Sequence, residues 1–188
     1  MRVKSGVLVG ALLSLLTAVT VANPASAAVD QRSDQWMPRD SASVALQSEV
    51  DRDLATLGGK QVAANRIVAG DGSVITYVPP GEKYAHVLGD GLDGNNPQTA
   101  KASCAYGAFC GWSKSNFTGR MRSWVDCNVY FTLPSTYSSG GSWINNQTHH
   151  YTTSMYDKYG SRVYTTPPAY SSDDHGDWSN IHFIYNDC

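Results

Sequence analysis

Of the residues in this 188-residue chain that could do chemistry, the cysteines carry the strongest signal. Cys104, Cys110, Cys127 and Cys188 form an even set confined to the C-terminal half, which argues for two disulfides made in an oxidising compartment. Four cysteines allow three connectivities. The favoured one is Cys104–Cys110 with Cys127–Cys188, the second bond tying the last strand to the first half of the domain. Zinc is a poor rival, because Cys104 and Cys110 lack a CxxC partner and a close histidine. His149-His150 and Asp173-Asp174-His175 offer imidazole and carboxylate for a metal or acid–base site. No nucleophile motif, ligand spacing or activating partner accompanies them, so they read as solvated loop and strand-end residues, and no catalytic residue is assigned. Asn116-Phe-Thr and Asn146-Gln-Thr match the glycosylation sequon but read more simply as turn residues.

Around the first two cysteines lies a dense aromatic stretch, Cys104 to Trp124. Trp112, Phe117 and Gly119 are spaced for a strand that turns back sharply on itself. One aromatic can cover the turn while the glycine takes a backbone angle that a side chain would forbid. From Ser103 to Cys188 helical periodicity is absent. Short β-prone runs (109–112, 121–125, 129–133, 142–144, 150–156, 162–165 and 181–185) alternate with Gly, Ser, Asn, Asp and Pro, the pattern of an all-β sandwich or barrel. A weak echo, Tyr137-Ser-Ser with Ser142-Trp143 against Tyr170-Ser-Ser with Trp178-Ser179, predicts two related four-stranded units stacked face to face. The core available to so short a domain is modest, so disulfide support is expected.

Upstream elements read as delivery and accessory structure. Arg2 and Lys4, the apolar run Val7–Val21 and Ala25-Ser26-Ala27 predict a signal peptide over residues 1–27. The apolar run is short for a membrane-spanning helix. Cleavage there removes two of the 14 Lys and Arg and none of the 16 Asp and Glu, taking the formal charge from −2 to about −4. That balance disfavours nucleic acid and anionic membranes, which ask for a basic face. Residues 28–42 read as a flexible N-terminus. Leu46, Val50, Leu54 and Leu57 recur at helical spacing with Glu49, Asp51, Arg52 and Asp53 on other faces, Ser41 or Ser43 as cap, and Gly58-Gly59 as the stop. Ile67-Val68 and Val74–Val78 flank Gly70-Asp71-Gly72, a hairpin signal. Residues 43–80 are thus a helix plus β-hairpin that either docks on the following domain or serves as a pro-region, and 81–102 read as a linker.

The motifs together resemble the actinobacterial secreted peptidase inhibitor family I36, whose fold is similar to βγ-crystallins. The resemblance rests on Cys104-Ala-Tyr-Gly107-Ala-Phe-Cys110-Gly-Trp112, on Asn116-Phe117-Thr-Gly119-Arg120, on Asp126-Cys127 and on Gly141-Ser142-Trp143-Ile-Asn145-Asn146. The segment before the domain, 58–82, is also similar to one that precedes it in such proteins. A second motif, Tyr156-Asp-Lys-Tyr159-Gly160, is shortened. The resemblance implies two Greek-key motifs, with Trp112, Phe117, Gly119, Ser142 and Trp143 as structural motif residues. It also implies inhibition of a secreted thermolysin-type metalloprotease by a rigid exposed loop, which no motif places. Crystallin-type calcium sites combine carboxylate, carboxamide and hydroxyl oxygens. Here Ser138-Ser139-Gly140-Gly141-Ser142 has no acid, and Asp173, Asp174 and Asp177 stand out of step before Trp178-Ser179-Asn180, so calcium binding is expected to be weak or lost. No cofactor is assigned.

The leading expectation is therefore a secreted, monomeric, disulfide-bonded β-sandwich acting as a peptidase inhibitor, with a secreted protease as partner. The rival from another class is a wall- or carbohydrate-binding antimicrobial module using surface Tyr and Trp. A hydrolase using the Asp/His cluster is the remotest reading.

Overall fold

Asp40, and neither Ser41 nor Ser43, opens the helix. Its Oδ1 accepts the backbone N–H groups of Ala42 and Ser43, each at 2.9 Å, so α1 runs Ser41–Leu57 and stops at Gly58 with φ 66°. This computed structural model describes residues 40–88 and 103–188; the expected signal peptide, most of the N-terminal tail and residues 89–102 of the linker lie outside them. Three short strands follow: β1 (Lys60–Ala63), β2 (Arg66–Val68) and β3 (Val74–Thr76). The β2–β3 turn forms at Asp71-Gly72, where Asp71 Oδ1 accepts from Ser73 N–H and Oγ–H. β1 was not predicted, because Lys-Gln-Val-Ala lacks strand alternation; pairing with β2 creates it. Asp53 differs from expectation too. It lies three residues after Val50, on the same helix face, and is buried rather than solvated.

The C-terminal domain supplies β4 (Ala108–Lys114), β5 (Thr118–Trp124), β6 (Tyr130–Thr132), β7 (Ser142–Asn146), β8 (Thr152–Tyr156), β9 (Arg162–Thr165), β10 (Ser171–Asp173) and β11 (Phe183–Asp187). Each of the seven β-prone runs overlaps one of these. β10 has no counterpart among them, since Ser-Ser-Asp becomes a strand only through its ladder with Trp143–Asn145 of β7. Two antiparallel sheets result, ordered β1-β2-β3-β5-β4-β7-β10 and β6-β11-β8-β9. Each four-strand unit, β4–β7 and β8–β11, places its first, second and fourth strands in one sheet and its third in the other. The units cannot part without breaking both ladders. Phe109, Trp124, Phe131, Trp143, Met155, Trp178 and Ile184 fill the space between the sheets. The echo that predicted two units has a different residue register. Tyr137 lies five residues after β6, as Trp178 does after β10, and these two rings meet edge-on at 5.8 Å. Tyr170, by contrast, precedes β10.

The accessory segment extends the first sheet instead of forming a layer of its own. β3 pairs with β5 through Val74–Ser123, Ile75–Arg122 and Thr76–Met121. One cross-strand row, Ile67–Ile75–Arg122–Gly111–Trp143, therefore lies on a single face of the sheet. Under one end of that face α1 packs Leu46 and Val50 on Ile67, Ile75 and Tyr77; under the other lies the second sheet. The opposite face is covered in part by the chain after β3, where Ala85 and Val78 pack with Trp112, Phe117 and the Cys104–Cys110 bridge. Residues 81–88 are held there: Asn65 Nδ2 donates to the carbonyls of Tyr77 (2.7 Å) and His86 (2.6 Å), and Asn65 Oδ1 accepts from Leu88 N–H (3.0 Å).

Candidate functional site

The hairpin that carries the first motif is built around its turn. Asn116 and Phe117 have φ near 60° and Gly119 has φ 76°, where an added Cβ would stand 2.5 Å from Ser113 Oγ. Trp112 covers Phe117 edge-to-face at 5.3 Å. Ser142, wholly buried at the start of β7, accepts from Phe117 N–H (2.9 Å) and donates to Lys114 O (2.8 Å), pinning the turn to the neighbouring strand. Trp143 follows it into the main core. Cys104 is bonded to Cys110 and Cys127 to Cys188.

The polar candidates do not assemble. His149 and His150 meet edge-to-face between β7 and β8, whereas Asp173 ends β10 and Asp174 and His175 follow it. Asp174 Oδ1 and His175 Nδ1 form an exposed pair at 2.8 Å, and Asp173 Oδ1 is engaged by His175 N–H. Asp177 accepts the backbone N–H and hydroxyl of Ser179, which hold its carboxyl below the usual carboxylate range. Among the described residues no three His, Cys, Asp or Glu side chains gather in a metal-binding arrangement. A recess of about 240 Å³ lies beside these acids, floored by Trp143, Met155 and Trp178 and edged by Tyr164, Asp173 and Asp177. It is smaller than the roughly 300 Å³ at which small-molecule pockets usually begin.

Two groups that motif reasoning missed shape the domain more. The first is a charge cluster at the junction between α1 and β5. Arg120 pairs with Asp53 and Glu49 and lies over the Tyr77 ring at 5.0 Å, and Tyr77 Oη–H donates to Asp53 Oδ2 at 2.8 Å. Arg122, 0 % exposed, donates to Asp71 Oδ2 (2.6 Å), Ser73 Oγ (2.8 Å) and Thr132 O (2.9 Å). Its burial pulls its pKa down and Asp71 opposes the shift; burial first, and then Asp53, push the Tyr77 phenol far up.

The second group braces two loops. Asn186, the fourth residue of β11, is 0 % exposed and donates Nδ2–H to the carbonyls of Asp126 (3.1 Å) and Trp124 (3.4 Å). Thr153 Oγ1 donates to its Oδ1 at 3.0 Å, and Gln147 Nε2 donates to Thr153 Oγ1 at 2.8 Å. Asn145, the fourth residue of β7, repeats the device for the 166–170 loop, donating to Pro167 O (3.2 Å), Tyr151 O (3.0 Å) and Thr166 Oγ1 (3.2 Å). Asn145 belongs to a quoted motif, but the pair is visible only once the third strands have changed sheets.

Fold and loops together define a small, disulfide-braced antiparallel β protein that presents preorganised connections between its sheets. Residues 97–166 match the family model described as Peptidase inhibitor family I36, the family that the cysteine and Asn-Phe-x-Gly-Arg motifs resemble. The matched segment takes in strands β4 to β9 and the Cys104–Cys110 and Asn116–Arg120 motifs. No curated protein and no solved structure matches the chain.

Proposed function

We propose that this protein is a secreted, monomeric inhibitor of extracellular peptidases of the thermolysin type, acting by occupying the substrate cleft without being turned over. The observation that carries the reading is the I36 match over residues 97–166, which take in the first four-strand unit and the first two strands of the second. Its support is physical: loops held from beneath by buried amides lose little conformational freedom on docking, the condition for tight occupancy of a cleft. Exchange of third strands between the two units supports the crystallin-type double Greek key that the resemblance implies. Two disulfides and the leader-like residues 1–27 support an extracellular destination. Calcium plays no part in this reading.

A second reading, binding of wall polysaccharide, is favoured by one feature. Tyr130, Tyr156 and Tyr185 stand together on the outer face of the second sheet, ring centres 4.7, 5.3 and 6.5 Å apart, an aromatic platform of the sort sugars stack on. Two assays on the purified protein separate them: inhibition of thermolysin, and co-sedimentation with peptidoglycan and chitin. The inhibitor reading expects the first and not the second. Sedimentation without inhibition reverses the assignment.

A further inference from the structure

We propose that residues 125–130, the β5–β6 connection with the first residue of β6, are the segment inserted into the peptidase, and that the cleft receiving it has an apolar primary pocket. This rests on the inhibitor reading above. Residues 125–130 are exposed without a break, with Val125 56 %, Val129 43 % and Tyr130 61 % accessible. Two branched aliphatic side chains on so short a connection serve no core of this protein. The backbone beneath them is fixed. Asn186 holds the carbonyls of Trp124 and Asp126, Asn128 N–H donates to Asn186 O (2.9 Å), and Cys127 is bonded to Cys188. Tyr185 Oη–H adds a longer bond to Asn128 Oδ1 (3.4 Å). All of these tethers run to β11 or the residue after it. A segment with two exposed valine side chains on an immobilised main chain is pre-shaped for a cleft, since the entropy of ordering it has been lost on folding.

The matching connection in the second unit, 166–170, has the Asn145 brace but differs in two ways that count against it. It lacks a disulfide, and Pro167-Pro168 removes two consecutive N–H donors that an extended chain would offer to the edge of an enzyme's cleft. The chemistry of the partner follows from the side chains. Residues 125–130 contain no Lys or Arg, and their single charge is Asp126, so a cation-selecting primary pocket gains nothing from them.

The test measures Ki of the disulfide-bonded protein against thermolysin, subtilisin and trypsin, beside a Val125→Asp/Val129→Asp variant and a Pro168→Asp variant. Thermal melts verify the fold, and hydrogen exchange of the wild-type complex provides a readout that needs no variant. The proposal expects inhibition of thermolysin or subtilisin, about thirty-fold or more weakened by the double valine change as for central interface anchors. Pro168→Asp should alter Ki by no more than about threefold. Added amide protection should centre on 125–130. An unchanged Ki for a double variant that melts like wild type, or protection centred on 166–170, overturns the loop while leaving the inhibitor reading standing. Failure of the wild type to inhibit any of the three removes that reading, and the proposal with it.

Discussion

Asp53 illustrates how a residue's role is set by a partner far along the chain. On the helix it is one acid among Glu49, Asp51 and Asp53, and periodicity alone assigns it to water. Arg120, 67 residues later, draws it under the sheet, where it also accepts from Tyr77. Asp53→Ala leaves the Arg120 guanidinium buried beside Glu49 alone, and should cost about 3–5 kcal/mol in urea unfolding. Asn186 is equally opaque in sequence, since the carbonyls it holds, of Trp124 and Asp126, lie 62 and 60 residues earlier in the chain. Asn186→Ala unpairs two loop carbonyls and should lower stability by about 1–3 kcal/mol while weakening inhibition, a loss that a merely structural residue far from the loop would not produce. The cysteines and Gly119 were legible because their constraints are local: an even count and a fixed spacing for the former, a backbone angle for the latter. Tyr77 and Tyr137 give a pH prediction. Burial, the first cause for both, raises their phenols above the ordinary 10.0. The native state keeps these protons where the unfolded chain releases them, so stability is unaffected below about pH 10 and falls as pH rises beyond it. Melting temperature measured across that range, with Tyr137→Phe as control, should show a shallower alkaline decline in the variant.

At the scale of elements, propensity located strands that carry aromatic or β-branched residues and missed those that do not. β10 exists because Trp143–Asn145 present a ladder to Ser171–Asp173, and β1 because β2 does. The connection between the third and fourth strands of the first unit shows what such exchange demands. Gly141, φ 151°, lies against the Trp178 indole so closely that a Cβ would overlap it, and that indole donates to Trp112 O at 2.8 Å. Gly141→Ala must displace the ring and should cost about 2–3 kcal/mol by chemical denaturation, with the tryptophan emission shifted to the red. An alanine at Gly81, where a Cβ meets nothing within 4 Å, shares the positive φ without the collision and should cost only about 1 kcal/mol.

Taken whole, the seven-stranded sheet carries two cores under the same face, one beneath α1 and one against the second sheet, joined at Arg120 and Arg122. The helix and hairpin were expected either to dock on the following domain or to serve as a pro-region, and the pairing of β3 with β5 puts them in one sheet with that domain. A protein cut to residues 103–188 would bare the edge of β5, part the two arginines from Asp53, Glu49 and Asp71, and uncover Trp112 on the other face. It should melt well below the longer chain and associate on concentration, as calorimetry and light scattering can determine. The decisive measurement is a titration of active-site-counted thermolysin with the purified longer chain. The account predicts a steep, reversible loss of activity that is complete near equimolar protein, with the inhibitor recovered intact. Full enzyme activity in excess protein, or steady degradation of the protein as a substrate, would contradict it.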